Sequence, residues 1–298
     1  MNLPKYLASA ESKLAKTISA LAEAVKEISF KIRTANADKA GTTNTFGEEQ
    51  LALDVIADRI IFDELKKSDV VGIASSEEQS EEVVISKEET AELAVAFDPL
   101  DGSSLVDANL AVGTIFGVWK AKTFIGQTGN DLLAAGYAVY GPRTTLILTT
   151  GTAPSEFTLQ PNNEWLLTRE NLEIGEGKMF APGNLRACAE HEKYRKLVEF
   201  WMEEKYTLRY SGGMVPDVHQ ILSKGKGVFS YPASESAPAK LRLLYECAPL
   251  SKVVEAAGGA SFDGSQSILA KEITSLDERT PICLGSQKEV RRFEEYLS

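Results

Sequence analysis

The chain has 298 residues, 43% of them hydrophobic and 25% charged, which allows one large domain or two ordinary ones. A net charge of -11 argues against sequence-independent nucleic-acid binding, which needs a basic surface to release counterions. No apolar run reaches membrane-spanning length, so neither nucleic acid nor membrane is expected as a partner. The N-terminus has no signal-peptide or transit-peptide character, and Cys188, Cys247 and Cys283 are too widely spaced for a disulfide framework. A cytoplasmic, reducing setting is therefore expected.

The first helical period is carried by Leu14, Ile18, Leu21, Val25, Ile28 and Ile32, spaced by four and three. A polar loop over 34–45 follows, then a second predicted helix over 49–67 with Leu53, Ile56, Ile60 and Leu65 on one side. Apolar runs at 70–74, 93–97, 112–119, 134–140 and 144–150 predict strands, the last two joined at Gly141-Pro142-Arg143. Another hairpin is predicted over 156–168, turning at Pro161-Asn162-Asn163, in an antiparallel sheet with one covered face. Beyond Gly177, helices are predicted at 189–204, 214–223, 248–257 and 287–297, with strands at 227–231 and 281–284. Gly258-Gly259 stops the third of these helices. The pattern divides the chain into a mainly antiparallel N-terminal subdomain, 1–175, and an α/β C-terminal one, 176–298.

Several acids sit at the ends of these elements. Glu77 and Glu78 close one strand, Asp98 and Asp101 close another, and Asp54 lies on the second helix with Glu48 just before it. If the two strands are neighbours, their carboxylates converge at one sheet edge, where like charges repel unless a cation is present. Mg²⁺ suits such a place, being a hard ion that takes carboxylate and carbonyl oxygens. A helix starting at Gly102-Ser103-Ser104 would aim free N–H groups at a phosphate. The residues alone leave two readings open: an ordinary Asp-Pro-Gly-Ser turn, or a corner holding a metal ion and a phosphate. Glu246 by itself reads as a solvated glutamate. His219 is expected packed or solvated on a helix, His191 exposed, and Trp119, Trp165 and Trp201 in core or interface. Neither histidine has the neighbours of a nucleophilic triad.

The stretch Phe97-Asp98-Pro99-Leu100-Asp101-Gly102-Ser103-Ser104, with Ser76-Glu77-Glu78 upstream, resembles the signature of the lithium-sensitive, magnesium-dependent sugar and inositol phosphatases. Within them, Val112-Gly113-Thr114-Ile115-Phe116-Gly117 and Lys240-Leu241-Arg242-Leu243-Leu244-Tyr245-Glu246 are similar to the fructose-1,6-bisphosphatase family. The stretches at 140–145, 177–187 and 206–217 resemble its sedoheptulose-1,7-bisphosphatase branch, and Leu105 stands where fructose bisphosphatases usually carry Asn.

The resemblance implies an α/β (α+β) fold in αβαβα layers, with two subdomains around a cleft, and hydrolysis of the 1-phosphate of a sugar bisphosphate by an activated water. It implies Mg²⁺, with Mn²⁺ as a substitute, held by Glu77, Asp98, Asp101, Glu246 and the Leu100 carbonyl. Asp54 and Glu78 would act on the attacking water, with Glu48 at a position usually occupied by Asp. Gly102, Ser103 and Ser104 would hold the reacting phosphate. Asn184, Arg186, Arg209, Tyr210, Lys240 and Arg242 would surround the sugar and its second phosphate, Arg186 standing where fructose bisphosphatases present a Tyr. A homodimer is implied, with a tetramer as the larger alternative, and Arg209 would reach across the subunit interface.

Two regulatory features of the family are missing. The loop at 34–44 has Ala37 and Thr42 where plastid sedoheptulose bisphosphatases carry a light-regulated cysteine pair, and 8–14 lacks the Gly-Thr-Gly-Glu that binds AMP. The rival readings are a fructose-1,6- or dual-specificity bisphosphatase, an inositol- or nucleotide-phosphate phosphatase, and a non-catalytic sugar-phosphate sensor.

Overall fold

The structure is a computed structural model that describes residues 1–34, 39–43 and 49–297. A short helix α1 (Leu3–Tyr6) leads into the long α2 (Ser12–Thr34). The strands β1 (Lys39–Thr43) and β2 (Glu49–Leu51) pair antiparallel, and α3 (Ala52–Lys67) comes after them. The helix expected from residue 49 thus starts at Ala52, because the three residues before it are extended.

Next come β3 (Val71–Ser76), β4 (Val83–Val84), β5 (Leu93–Asp101), β6 (Val112–Lys120), β7 (Leu132–Tyr140), β8 (Thr144–Thr149), β9 (Ser155–Leu159) and β10 (Trp165–Arg169). They form one sheet in the order β10-β9-β8-β7-β6-β5-β3-β4. Every neighbouring pair is antiparallel except β3 and β5, which run parallel. The hairpin turns expected at 141–143 and 161–163 are both present.

The rest of the chain supplies β11 (Met179–Pro182), α4 (Glu192–Glu203), β12 (Thr207–Leu208), α5 (Met214–Lys224), β13 (Val228–Tyr231), α6 (Ala248–Ala256), β14 (Ala260–Phe262), β15 (Ile282–Gly285) and α7 (Gln287–Leu297). A second sheet has the order β12-β11-β13-β15-β14. The strands β11, β12 and β14 carry no periodic signal, being only two to four residues long. The helix expected at 189–204 begins at Glu192, after a 3₁₀ turn over Leu185–Ala189. A π turn, Leu243–Cys247, precedes α6, and Gly258 lies just past its end at φ +83°.

Side-chain alternation along β5 explains the layering. Leu93, Val95 and Phe97 join the core under α2 and α3, while Ala94 and Ala96 join the core that α5 and α6 share with both sheets. The whole strand is buried, so its apolar run has no polar face. On the far side of the second sheet, α4 and α7 close a third core around Trp201 and Phe293. The order is therefore helices, sheet, helices, sheet, helices: the αβαβα arrangement. Among the described residues, no helix is long and apolar enough to cross a membrane.

Two glycines set how closely the middle layer approaches. A Cβ on Gly113 of β6 would lie 2.4 Å from the Val215 side chain, so α5 rests directly on the sheet there. Gly102 ends β5 at φ +74°, a region open to glycine at little cost. The chain then forms a 3₁₀ turn of three residues, Ser103–Leu105, and not the helix expected.

All three tryptophans are buried. His219 on α5 is half-buried, its Nδ1 3.2 Å from the Tyr137 hydroxyl and its Nε2 3.1 Å from that of Ser223. Burial pulls its pKa down to about 4, with Glu156 opposing the shift. The fold thus holds the neutral ring. The stability this represents is complete above the ordinary histidine range and is lost as pH falls toward 4, about 3 kcal/mol across that window. Urea midpoints between pH 7 and 4.5 should therefore fall less steeply for His219→Gln than for the unaltered chain; equal slopes would refute the assignment.

Candidate active site

The parallel pairing of β3 with β5 creates the site. Ser76 is in register with Phe97, and the Glu77 N–H donates to the Phe97 carbonyl at 3.1 Å, which sets Glu77 beside Asp98. Glu246 arrives from the π turn before α6. That turn is pinned to β3 by the buried hydrogen bond between the Tyr245 and Ser75 hydroxyls, 2.8 Å long. Each of Glu77, Asp98 and Glu246 contributes one carboxylate oxygen to a group lying within 4.8 Å of one another.

Asp98 and Glu246 are 5% and 6% exposed. Burial, then the charge of Glu77, pushes both carboxyls well above the ordinary range. Two backbone groups still support the ionised forms: the Leu100 N–H donates to Asp98 Oδ1 at 2.9 Å, and the Arg242 N–H to Glu246 Oε2 at 2.5 Å. A closely spaced, oxygen-only set of carboxylates, with Arg242 on one of the three, suits a hard divalent cation, so the residues fit the Mg²⁺ that the sequence implies.

Asp101, expected with these ligands, is not among the three that share this point. It is buried, and its carboxylate accepts the N–H groups of Met214 at 3.2 Å and Val215 at 2.6 Å, the first two residues of α5. It therefore caps a helix from more than a hundred residues away. Burial raises its pKa to about 7, against the pull of those two hydrogen bonds. Between Asp98 and Asp101 the β5–β6 register shifts, and the Pro99 carbonyl turns to the Thr114 hydroxyl at 2.8 Å. Leu100 sits buried in this irregular step.

Asp54 lies buried in the first turn of α3, and Glu78 directly follows Glu77, half-buried. Glu48 lies outside the described residues, as does Ala37. Gly102 and Ser103 are half-buried and Ser104 exposed, in a turn closed by the Leu105 N–H on the Gly102 carbonyl at 2.8 Å. A Cβ at Gly102 would lie 3.2 Å from Gly213 Cα, so this turn runs against the segment leading into α5.

The cationic side chains divide into two groups. Arg242 is 2% exposed, and its guanidinium is bonded to Glu77 and, through Nε at 2.8 Å, to Asp277. It stands against the acid cluster as a resident positive charge. Arg186, Arg209 and Lys240 are exposed, as is the neighbouring phenol Tyr210. Arg186 Nη2 reaches Asn184 Oδ1 at 3.4 Å and also bonds the Tyr231 hydroxyl, opposing the rise that burial gives that phenol. Asn184, at φ 49°, spends its amide N–H groups on the carbonyls of Pro232 at 2.7 Å and Ala237 at 2.9 Å.

Sequence reasoning missed Tyr231, Asp277 and Asp217. The Asp217 carboxylate accepts the N–H groups of Ser211 at 2.7 Å and Gly212 at 3.3 Å, shaping the loop that carries Arg209 and Tyr210. The Ser211-Gly212-Gly213 turn before a Pro-Asp helix start was the available signal for Asp217. Tyr231 and Asp277 carry no local signal for the site, since each reaches it through a distant arginine.

Two family models match, fructose-1-6-bisphosphatase N-terminal domain over residues 3–170 and its C-terminal domain over 174–298. A chloroplastic sedoheptulose-1,7-bisphosphatase of Triticum aestivum is 48% identical, covering 99% of this chain and 76% of the wheat protein. A class 1 fructose-1,6-bisphosphatase of Geobacter metallireducens is 44% identical over 94% of this chain and 90% of its own length. The crystal structure of Leishmania major fructose-1,6-bisphosphatase in its holo form superposes with a TM-score of 0.94 at 32% identity, covering 99% of this chain and 98% of that one.

The acid cluster makes its own stability prediction. Asp98→Asn keeps the acceptor for the Leu100 N–H and removes one of the buried like charges. In the presence of a chelator the variant should be more stable than the unaltered chain by about 1 kcal/mol or more, read from urea midpoints. A loss of stability would show that the three carboxylates are not in mutual repulsion.

Proposed function

The chain belongs to the fructose-1,6-bisphosphatase family, and from that premise we propose that it hydrolyses the 1-phosphate of sedoheptulose 1,7-bisphosphate to give sedoheptulose 7-phosphate and phosphate. The observation that carries the reading is the meeting of Glu77, Asp98 and Glu246, from three distant parts of the chain, on one buried point. The choice of sugar is supported by the strong likeness to the sedoheptulose-1,7-bisphosphatases, by Leu105, and by Arg186 braced beside Tyr231. The likeness to bacterial fructose-1,6-bisphosphatases keeps the six-carbon substrate as the second reading.

Glu77, Asp98, Asp101, Glu246 and the Leu100 carbonyl would hold Mg²⁺, or Mn²⁺ in its place. When bound, the ion supplies positive charge at the oxygens of the reacting phosphate. Asp54 and Glu78, with Glu48, orient the water and take its proton as its oxygen bonds to phosphorus. The sugar oxygen leaves with the bond pair and is then protonated. Gly102, Ser103 and Ser104 hold the phosphate through backbone N–H groups and hydroxyls, in a 3₁₀ turn in place of a helix end.

Arg242 and Lys240 stand toward the sugar, with Arg242 dividing its charge between substrate and Glu77. Asn184 holds the turn that carries Arg186, which faces the second phosphate together with Tyr210 from the loop that Asp217 shapes. Residues 1–175 and 176–298 are read as subdomains flanking the cleft. The exposed Leu185, Leu208 and Tyr210, at 48%, 55% and 47%, support a homodimer in which Arg209 reaches the partner's site. Larger assembly into a tetramer is compatible with this. The cytoplasmic setting stays with the proposal, supported by free cysteines, two of them buried.

Phosphate release should be seen with Mg²⁺ from sedoheptulose 1,7-bisphosphate, should stop with EDTA, and should show a higher kcat/KM than with fructose 1,6-bisphosphate. Equal or reversed kcat/KM values reject the sugar assignment, and no release from either substrate rejects the enzyme. Arg186→Tyr is expected to move the ratio toward the six-carbon sugar by about tenfold, the scale of one charge-assisted hydrogen bond. An unmoved ratio removes Arg186 from the specificity pocket.

A further inference from the structure

Asp58 lies on α3 four residues after Asp54, hence on the same face one turn along. It is only 7% exposed. Its Oδ2 accepts from Gln79 Nε2 at 3.1 Å, while among the described residues Oδ1 has no hydrogen-bond partner. The Ser76 hydroxyl faces the same carboxylate and eases the cost of burying it.

Ser76 and Gln79 bracket Glu77 and Glu78. The chain turns between them, with the Gln79 N–H on the Ser76 carbonyl at 3.0 Å and the Glu78 N–H on Ser76 Oγ at 3.2 Å. The Gln79 amide, at the end of the turn that presents Glu77 and Glu78, is thus bonded to a carboxylate from the helix that presents Asp54, and the Ser76 hydroxyl at its start faces the same group. Burying a carboxylate with an unsatisfied oxygen is expensive, and an aliphatic side chain would fill the same place, as Ile61 and Leu65 do further along α3.

We propose that Asp58 is a positioning residue for the hydrolysis: it ties the 76–79 turn to α3 and so fixes the separation of Asp54 and Glu78 across the attacking water. The inference rests on the reading of Asp54 and Glu78 given under Proposed function. Asp58 touches neither substrate nor reacting atoms.

The test compares Asp58→Leu and Asp58→Asn with the unaltered chain by Mg²⁺-dependent phosphate release from both bisphosphates, alongside melting temperatures. Asp58→Leu should lower kcat by about 10- to 100-fold with KM within about twofold, the pattern of misplaced reacting groups, while folding stably. Asp58→Asn should recover kcat to within about threefold, since an amide can accept from Gln79 and donate to Ser76. The inference is overturned if Asp58→Leu keeps its kcat within twofold, if KM rises in step with the loss, or if Asp58→Asn is as slow as Asp58→Leu. Failure of the parent reading is distinct: there the unaltered protein releases no phosphate at all, and both fall together.

Discussion

Carboxylates buried side by side are the constraint on which this molecule is organised. Glu77, Asp98 and Glu246 are held together although the charge of Glu77 raises the cost of ionising the other two, and backbone N–H groups from Leu100 and Arg242 meet part of that cost. The parallel β3–β5 pair fixes two of them, and the Ser75–Tyr245 hydrogen bond fixes the third. Within the described residues the compensating charge is Arg242, itself anchored by Asp277. Such strain is retained where a site must receive positive charge, and it would be pointless in a structural core.

Asp101 shows how the same chemistry reaches the second half of the molecule. Its two hydrogen bonds to Met214 and Val215 make the start of α5 depend on the end of β5. Gly113, paired with Asp101 on the neighbouring strand, leaves the room that lets Val215 approach. The loop that carries Arg209 and Tyr210 is held in turn by Asp217 from that helix. A displacement of α5 would therefore disturb the end of β5 and the loop carrying Arg209 and Tyr210 at once.

Much of this was legible in the residues. The amphipathic period of α2, the apolar runs of β5 to β8 and both hairpin turns are local patterns, and the structure realises them. The family motif supplied the distant Glu246, which local pattern would have left on a solvated face. The errors came where short-range signal is weak or tertiary packing prevails. Asp98 to Asp101 reads as a turn yet extends a strand, because β6 pairs with it. Gly102-Ser103-Ser104 reads as a helix start, but only a three-residue 3₁₀ turn forms after Gly102, which sits at positive φ. Asp58, Tyr231 and Asp277 could not be seen at all, since each acts through a partner remote in sequence.

The core shared by α5, α6 and both sheets has a mechanical meaning. Ala94, Ile115, Tyr137 and Ile147 from the first half pack there with Val215, Leu250, Val254 and Leu284 from the second. A fragment ending near residue 175 would leave that entire sheet face in water, and the remaining piece would lose the surface its helices sit on. The two halves are accordingly not modules that evolution or the bench can exchange singly. The candidate site lies at the edge of this shared core, where Tyr245 and Met214 pack beside its carboxylates, so both halves are needed to build it.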